Sequence, residues 1–523
     1  MKLVLSLLIL IFSVACSEPE TSSHATMHRP FALMGQTSVS PLDKIEHVVV
    51  LMLENRSFDN ILGLHMDPVG LLSKSNTHGS ETIPTWSTQN RHAVGFDTMP
   101  SKNPAESFRD MTYQLYEKAP PIDVNADVPT MGGFATNFAN NGGEPTDIMH
   151  CFAPEQTPVF TTLARRFGLS DRWFASAPCQ TLPNRLFLHS GTAAGYVNNL
   201  PGDHWWNVIH RLPYPMKTIF SHIPDTDERK GYGIYFHDFS ANFAFRELWW
   251  NPLHFHRFTT FEEHVQNGTL PSYSFIEPAY FLGANDMHPP SSILPAQALT
   301  AKVYNILRGN EDIWKKTLFV VICDEHGGTY DSVPPPRAVS PGDGRVFNDD
   351  ENLNFQFDRY GVRVPAIIMS PFVAEGAVLR SPTDVPFDHT TVIRTLFERF
   401  VPGCRDHPGR EGCYLTERDK YAPSLASAIT LDEPTNLGPE EIEESIQASS
   451  QKFQTAAALD PLDEFQQTLV GIAAVLPQKR ELLHHLQTTG VRDLSKIKEP
   501  KHRTVRDAHV FVESQVNQFL GGR

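Results

Sequence analysis

The chain is expected to be α/β, with a mostly parallel sheet flanked by helices and a smaller helical unit at the C-terminus. Ile45–Leu53 is almost continuously apolar and β-branched, as are Leu318–Cys323 and Val364–Met369. Runs of this kind suit strands covered on both faces of a parallel sheet. Between them lie segments with apolar residues at helical spacing, Val159–Phe167 and Gln297–Leu307, and strands that alternate with helices build a parallel sheet. Beyond about residue 430 the chain turns acidic and helical, with segments at Glu440–Ser450, Asp463–Leu476 and Ala508–Leu520.

A chain of 523 residues has room for one large domain with insertions. With 40% hydrophobic residues, 20% charged and 41 prolines, it describes a folded protein rich in loops. The formal net charge of −16 leaves no broad basic surface for a nucleic-acid backbone, so any phosphate should be met by a local site. Trp205, Trp206, Trp249 and Trp250 fall in an aromatic stretch that interrupts the pattern and are read as core.

Met1-Lys2, an apolar run from Leu3 to Phe12 and Ser13-Val14-Ala15-Cys16 have the layout of a secretory signal peptide. The expected division is a signal peptide over 1–15, a polar tether over 16–42, a catalytic domain over 43–430 and a helical unit over 431–523. The mature chain is expected to be secreted or periplasmic. Val14-Ala15-Cys16 is similar to a lipobox, with Ser13 where Leu is usual, so anchoring through acylated Cys16 is the alternative. No later stretch approaches the ~20 apolar residues of a membrane span. In an oxidising compartment Cys404 and Cys413, which bracket a short polar loop, are expected to bond. Cys151, Cys179 and Cys323 lack metal-ligand spacing and are read as small buried residues.

Ligands of an open parallel sheet gather at the carboxyl ends of its strands. Two such ends each deliver a pair of oxygen-bearing residues: Glu54-Asn55 after the first strand and Asp324-Glu325 after Leu318–Cys323. Carboxylate and amide oxygens suit a divalent cation, and three clustered carboxylates repel one another without one. Helix capping by Asn55 or Ser57 is the competing explanation. In Ala177-Pro178-Cys179-Gln180-Thr181-Leu182-Pro183-Asn184-Arg185 a hydroxyl lies where a helix begins, so that Thr181 is either a cap or a nucleophile placed where a phosphate is well held.

These elements together resemble the bacterial phospholipases C and acid phosphatases, with the plant nonspecific phospholipases C, of the alkaline-phosphatase-like superfamily. The resemblance runs in order from Ile45 to about Phe400 through IEHVVVLMLENRSFDNILG, DRWFASAPCQTLPNRLFLHSG, FIEP, NDMHPP, DEHGGTYDSVPPP, GVRVPAIIMSP and FDHTTVIRTL, and the Asp463–Leu476 helix is similar to their tail helices. It implies Thr181 as nucleophile, Glu54, Asn55, Asp324, Glu325 and the Thr181 oxygen around a metal, and His288 on the substrate side. Further correspondences are the catalytic-type histidines His237, His92 and His389, and Asn184, Arg185, Asp286 and Asp388 as substrate-binding residues. Cys179 stands where the family has Ser or Gly. Thr181–Arg185 also resembles the C-x-P-x-R signature of sulfatases, but threonine cannot supply the aldehyde those enzymes need.

The expected activity is therefore hydrolysis of glycerophospholipids at a membrane surface to diacylglycerol and a phosphorylated headgroup. It would run through a phosphothreonine with one divalent metal, zinc by resemblance, although calcium or another divalent ion is equally compatible with oxygen donors. The alternatives are a phosphomonoesterase of the acid phosphatase type and an inactive surface-binding protein. The oligomeric state is left open by the sequence.

Overall fold

The computed structural model describes residues 40–88, 96–199, 214–225, 231–345, 355–443, 458–477, 502 and 504–521. The signal peptide, the tether up to Val39, His92, Trp205 and Trp206 lie outside the described residues. Eight strands form the main sheet: β1 (His47–Leu53), β2 (Gly168–Leu169), β3 (Tyr232–Phe236), β4 (Phe255–Arg257), β5 (Tyr273–Glu277), β6 (Thr317–Cys323), β7 (Ala366–Met369) and β8 (Ala377–Val378). Their spatial order is β8-β2-β7-β6-β1-β5-β3-β4. The neighbours from β6 across to β4 all pair in parallel.

The exception is β7, which runs antiparallel to both β6 and β2. Its composition is that of a parallel strand because burial on both faces follows from the helices that cover the sheet, not from strand direction. Helix α1 (Phe108–Tyr116) packs through Leu115 and Tyr116 into a separate cluster with Phe134 and Phe138, whereas α2 (Thr181–Ser190), α3 (Leu294–Gly309) and α4 (Thr390–Phe400) share one core with the sheet. The central strand β1 is buried along its length from Val48 to Leu53.

From Ser40 onward the described residues form one compact unit. Two tail helices pack into the common core: α5 (Glu464–Val475), capped by Asp463, and α6 (Val505–Leu520), capped by Thr504. Phe519 of α6 lies edge-on to Phe243, 5.5 Å between ring centroids, and Arg257 pairs in bidentate fashion with Glu513 at 2.7 and 2.8 Å. Of the helix expected over Glu440–Ser450, residues 440–443 are not helical and the rest lies outside the described residues. Cys404 and Cys413 are joined by a disulfide, Trp249 is buried and Trp250 is exposed. Among the described residues no helix is long and apolar enough to cross a membrane.

The loops after β1 and β6 are locked together by a buried ion network. Arg363 donates to Asp331 at 2.9 Å and to Asp59 at 2.8 Å. Burial raises the Asp331 carboxyl to about 7 despite the arginine, with Asp59 adding to the rise. Removing one partner of a buried pair strands the other charge, so Arg363→Ala is expected to cost about 3–5 kcal/mol in urea unfolding. A carboxyl whose folded pKa is raised contributes stability at low pH that is lost as pH rises through that value. Without Arg363 the Asp331 carboxyl titrates higher still, so the deficit of Arg363→Ala should grow as pH rises above about 7.

Candidate active site

Because β1 and β6 pair in register, Leu53 opposite Cys323, their carboxyl ends are level. This sets Glu54-Asn55 beside Asp324-Glu325. The Asp324 N–H donates to the Leu53 carbonyl at 3.2 Å, and the Asn55 N–H to Asp324 Oδ1 at 3.2 Å. Asn55 takes a left-handed conformation, φ 56°, which asparagine tolerates better than most residues. Gly327 lies directly against it. A Cβ there would stand 2.3 Å from the Asn55 carbonyl oxygen, so only glycine fits.

Thr181 is the first residue of α2. The Leu182 N–H is taken by Asn199 Oδ1 at 2.9 Å, and the Thr181 side chain caps nothing. Its hydroxyl instead donates to Asn55 Oδ1 at 3.2 Å. Arg185, one turn later on the same face, donates to Asp324 Oδ2 at 3.0 Å and Glu54 Oε1 at 3.1 Å. It also stands 3.8 Å from Glu277 at the end of β5. Asn184 turns back to the loop before Thr181, bonding the carbonyls of Ala177 and Cys179 at 3.2 and 2.6 Å.

Glu54, Asp324 and Glu325 are at most 1% exposed. Burial is the main reason their carboxyls sit above the ordinary range, with mutual repulsion added and Arg185 opposing it at Glu54 and Asp324. For Glu325 the repulsion comes chiefly from Glu106 and Asp324, and its Oε1 has no hydrogen-bond partner.

Glu106, just before the cap of α1, was not singled out by the sequence. Its Oε2 accepts from Asn55 Nδ2 at 2.7 Å, and its Oε1 lies 3.6 Å from His288 Nε2. A carboxylate can only accept, so Glu106 turns the Asn55 amide with its oxygen toward Thr181. Burial pulls the His288 imidazolium down, but Glu106, then Asp463 and Glu54, more than offset this and raise it well above its usual value. Asp286 accepts the His288 N–H at 3.0 Å, and burial pushes its carboxyl to about 6. Arg56, also missed, holds this loop through the carbonyls of Met287 at 2.9 Å and Ser291 at 3.2 Å.

The other residues singled out stand further back. His389 Nε2 meets the Asp324 carbonyl at 2.6 Å and so braces a strand end, with its pKa lowered by burial to about 4. His237 follows β3, stacks on Phe258 and meets the Glu277 carbonyl at 2.9 Å. Asp388 holds Ser176 at 2.9 Å and Arg418 at 3.2 Å. Glu277 and Glu106 both escaped the sequence reading. Glu277, which ends β5, obeys the rule that found Glu54; Glu106 has no comparable signal.

Oxygen donors from Glu54, Asn55, Thr181, Asp324 and Glu325 match the taste of a hard divalent ion, and the unpartnered Glu325 oxygen lacks a counter-charge. Among the described residues no three His, Cys, Asp or Glu side chains are gathered as a metal cluster; Arg185 stands against two of the carboxylates. The donor types fit a cation.

Comparison with known proteins bears on what this arrangement is for. The model of the Phosphoesterase family matches residues 45–401. Non-specific phospholipase C3 of Arabidopsis thaliana is 32% identical over 507 residues, 93% of this chain and 90% of the relative. Non-specific phospholipase C6 of the same plant is 32% identical over 514 residues, 94% and 91%. The non-hemolytic phospholipase C of Pseudomonas aeruginosa is 27% identical over 400 residues, 69% and 54%. Lipoteichoic acid synthase LtaP of Listeria monocytogenes, 9% identical, aligns over 77% of this chain and 76% of its own with a TM-score of 0.29, a likeness too slight to carry argument. The chain belongs to the phosphoesterase family and is a hydrolase of phosphoric esters.

Proposed function

We propose that the protein is an exported phospholipase C that cleaves glycerophospholipids to diacylglycerol and a phosphorylated headgroup, with Thr181 as nucleophile. The observation that carries the nucleophile is the buried Thr181 hydroxyl, freed from capping and turned to Asn55 Oδ1 beside the carboxylates of Glu54 and Asp324. The lipid substrate is supported by relatives named phospholipase C that match nearly the whole chain. Export rests on the layout of Met1–Cys16.

One divalent metal, zinc as first guess, would be held by Glu54, Asn55, Asp324, Glu325 and the Thr181 oxygen. Bound there, it would make the hydroxyl easier to deprotonate and offset charge on the phosphate. Thr181 gives up its hydroxyl proton to solvent, its Oγ1 attacks phosphorus in line, and the bond from phosphorus to the glycerol oxygen breaks. His288 gives its proton to that departing oxygen. The phosphothreonine still carries the headgroup. Water then attacks phosphorus and gives a proton back to His288, and the bond to Oγ1 breaks, releasing the phosphorylated headgroup while solvent reprotonates the Thr181 oxygen.

Product analysis tests the reading. Phosphatidylcholine in micelles should yield diacylglycerol, with kcat/KM above that for an aryl phosphate monoester. A chelator should abolish the reaction and one divalent ion restore it. Efficient monoester cleavage without lipid cleavage would move the protein to the acid phosphatase reading, and full activity in metal-free protein would exclude the metal.

Thr181→Ser keeps a hydroxyl and should retain measurable turnover. Thr181→Ala should lose on the order of 10⁴-fold in kcat, and acid-quenched wild type should carry phosphate on Thr181 by peptide mass analysis. Near wild-type turnover in Thr181→Ala would remove the residue from the mechanism.

The acid role of His288 has its own signature. Activity that needs the imidazolium is lost as pH rises through its pKa, and Glu106 is what raises that pKa. Glu106→Gln keeps the shape and removes the charge, so the alkaline limb of kcat/KM should move to lower pH. An unmoved limb would separate Glu106 from the proton donor.

A further inference from the structure

Helix α5 begins far from Thr181 in sequence, yet its first turn lies beside the site, with Phe465 buried, Gln466 half-buried and Glu464 at the surface. Glu464 Oε2 accepts from Gln180 Nε2 at 2.6 Å, 284 positions away. Gln180 Oε1 in turn accepts the Asn199 N–H at 2.7 Å, and Asn199 Oδ1 accepts the Leu182 N–H at 2.9 Å. A line of hydrogen bonds thus runs from the tail helix to the peptide next to the nucleophile. Phe465, 2% exposed, encloses Arg185 together with Tyr280: the guanidinium carbon lies 5.6 Å from the first ring and 5.4 Å from the second. Gln466 Nε2 donates to the Tyr280 carbonyl at 2.7 Å, and Asp463 caps the turn through the Gln466 N–H at 2.7 Å.

A helix that merely packs would meet the core with its apolar face, as Leu469 and Ile472 do. We propose that the first turn of α5 is a wall of the catalytic site, with Glu464 a positioning residue that sets the Thr181 turn through Gln180. The inference rests on the assignment of Thr181 as nucleophile. With its oxygen committed to Asn199, the Gln180 amide must point its N–H outward, and a carboxylate is its strongest acceptor. Without Glu464 the amide is free to rotate, Asn199 loses its brace, and the Thr181 turn loosens. A loosened nucleophile loses turnover more than substrate binding.

The test measures kcat and KM on phosphatidylcholine micelles. Glu464→Ala should lower kcat about tenfold with KM within about twofold, and Glu464→Gln, whose amide oxygen can accept the same bond, should recover most of it. If Glu464→Ala fails to fold, the exchange Gln180→Glu with Glu464→Gln serves instead. Gln180→Glu alone sets two carboxylates together and should lose activity, while the double variant rebuilds the bond in the opposite sense and should regain it. Wild-type kcat in both Glu464→Ala and Gln180→Glu, with Thr181→Ala inactive, would overturn the inference alone. An active Thr181→Ala would overturn it together with the nucleophile assignment.

Discussion

The site is organised around one buried guanidinium. Arg185 contacts Asp324 and Glu54 directly and stands near Glu277, so carboxylates from three adjacent strand ends share a single counter-ion. Burial lowers its pKa, but Tyr280, Asp324, Glu54 and Glu277 more than offset this and keep it charged. A buried ion pair adds little net stability, yet stranding one member is costly. The ends of β1 and β6 meet this charge with direct hydrogen bonds, the end of β5 stands 3.8 Å away, and the aromatic rings of Tyr280 and Phe465 flank it.

One guanidinium does not balance the acids around it. Glu54, Asp324 and Glu325 are all shifted toward their protonated forms, which is how a fold responds to more buried negative charge than it can pair. Glu325 Oε1 is buried with no hydrogen-bond partner. The proposed divalent ion would relieve the excess of negative charge, and its binding would then release protons. His288 takes up positive charge for the same reason: the acids that surround it favour the imidazolium.

How much of this could be read in advance follows from how local each signal is. Ile45–Leu53 and Leu318–Cys323 announce strands by composition, and oxygen-bearing residues immediately after them fall at a sheet edge by construction. Thr181 at a helix start is equally local. The direction of β7 was not legible, because apolar cover looks the same for either direction. Glu106 and Arg56 were missed because their roles arise only when distant loops meet: Glu106 matters through the Asn55 amide it turns, and Arg56 through the carbonyls of Met287 and Ser291. No period or spacing encodes either contact.

The position of Thr181 at a helix start is local, but the direction in which its hydroxyl points is not. A threonine at the N-cap spends its hydroxyl on the first turn, but the N-cap here is Gln180, whose side chain makes no capping bond, and Thr181 is the first helical residue. Here Asn199 takes over that duty at the Leu182 N–H, while Asn184 fastens the preceding loop to the helix through Ala177 and Cys179. The turn is held by amides on both sides, and the threonine oxygen is left to face Asn55. Freedom of that one hydroxyl is bought by two asparagines, one of which, Asn199, is itself held by Gln180. The Thr181 hydroxyl is left out of the helix by its place one residue inside the cap, together with a side chain from beyond the helix that already satisfies the first turn.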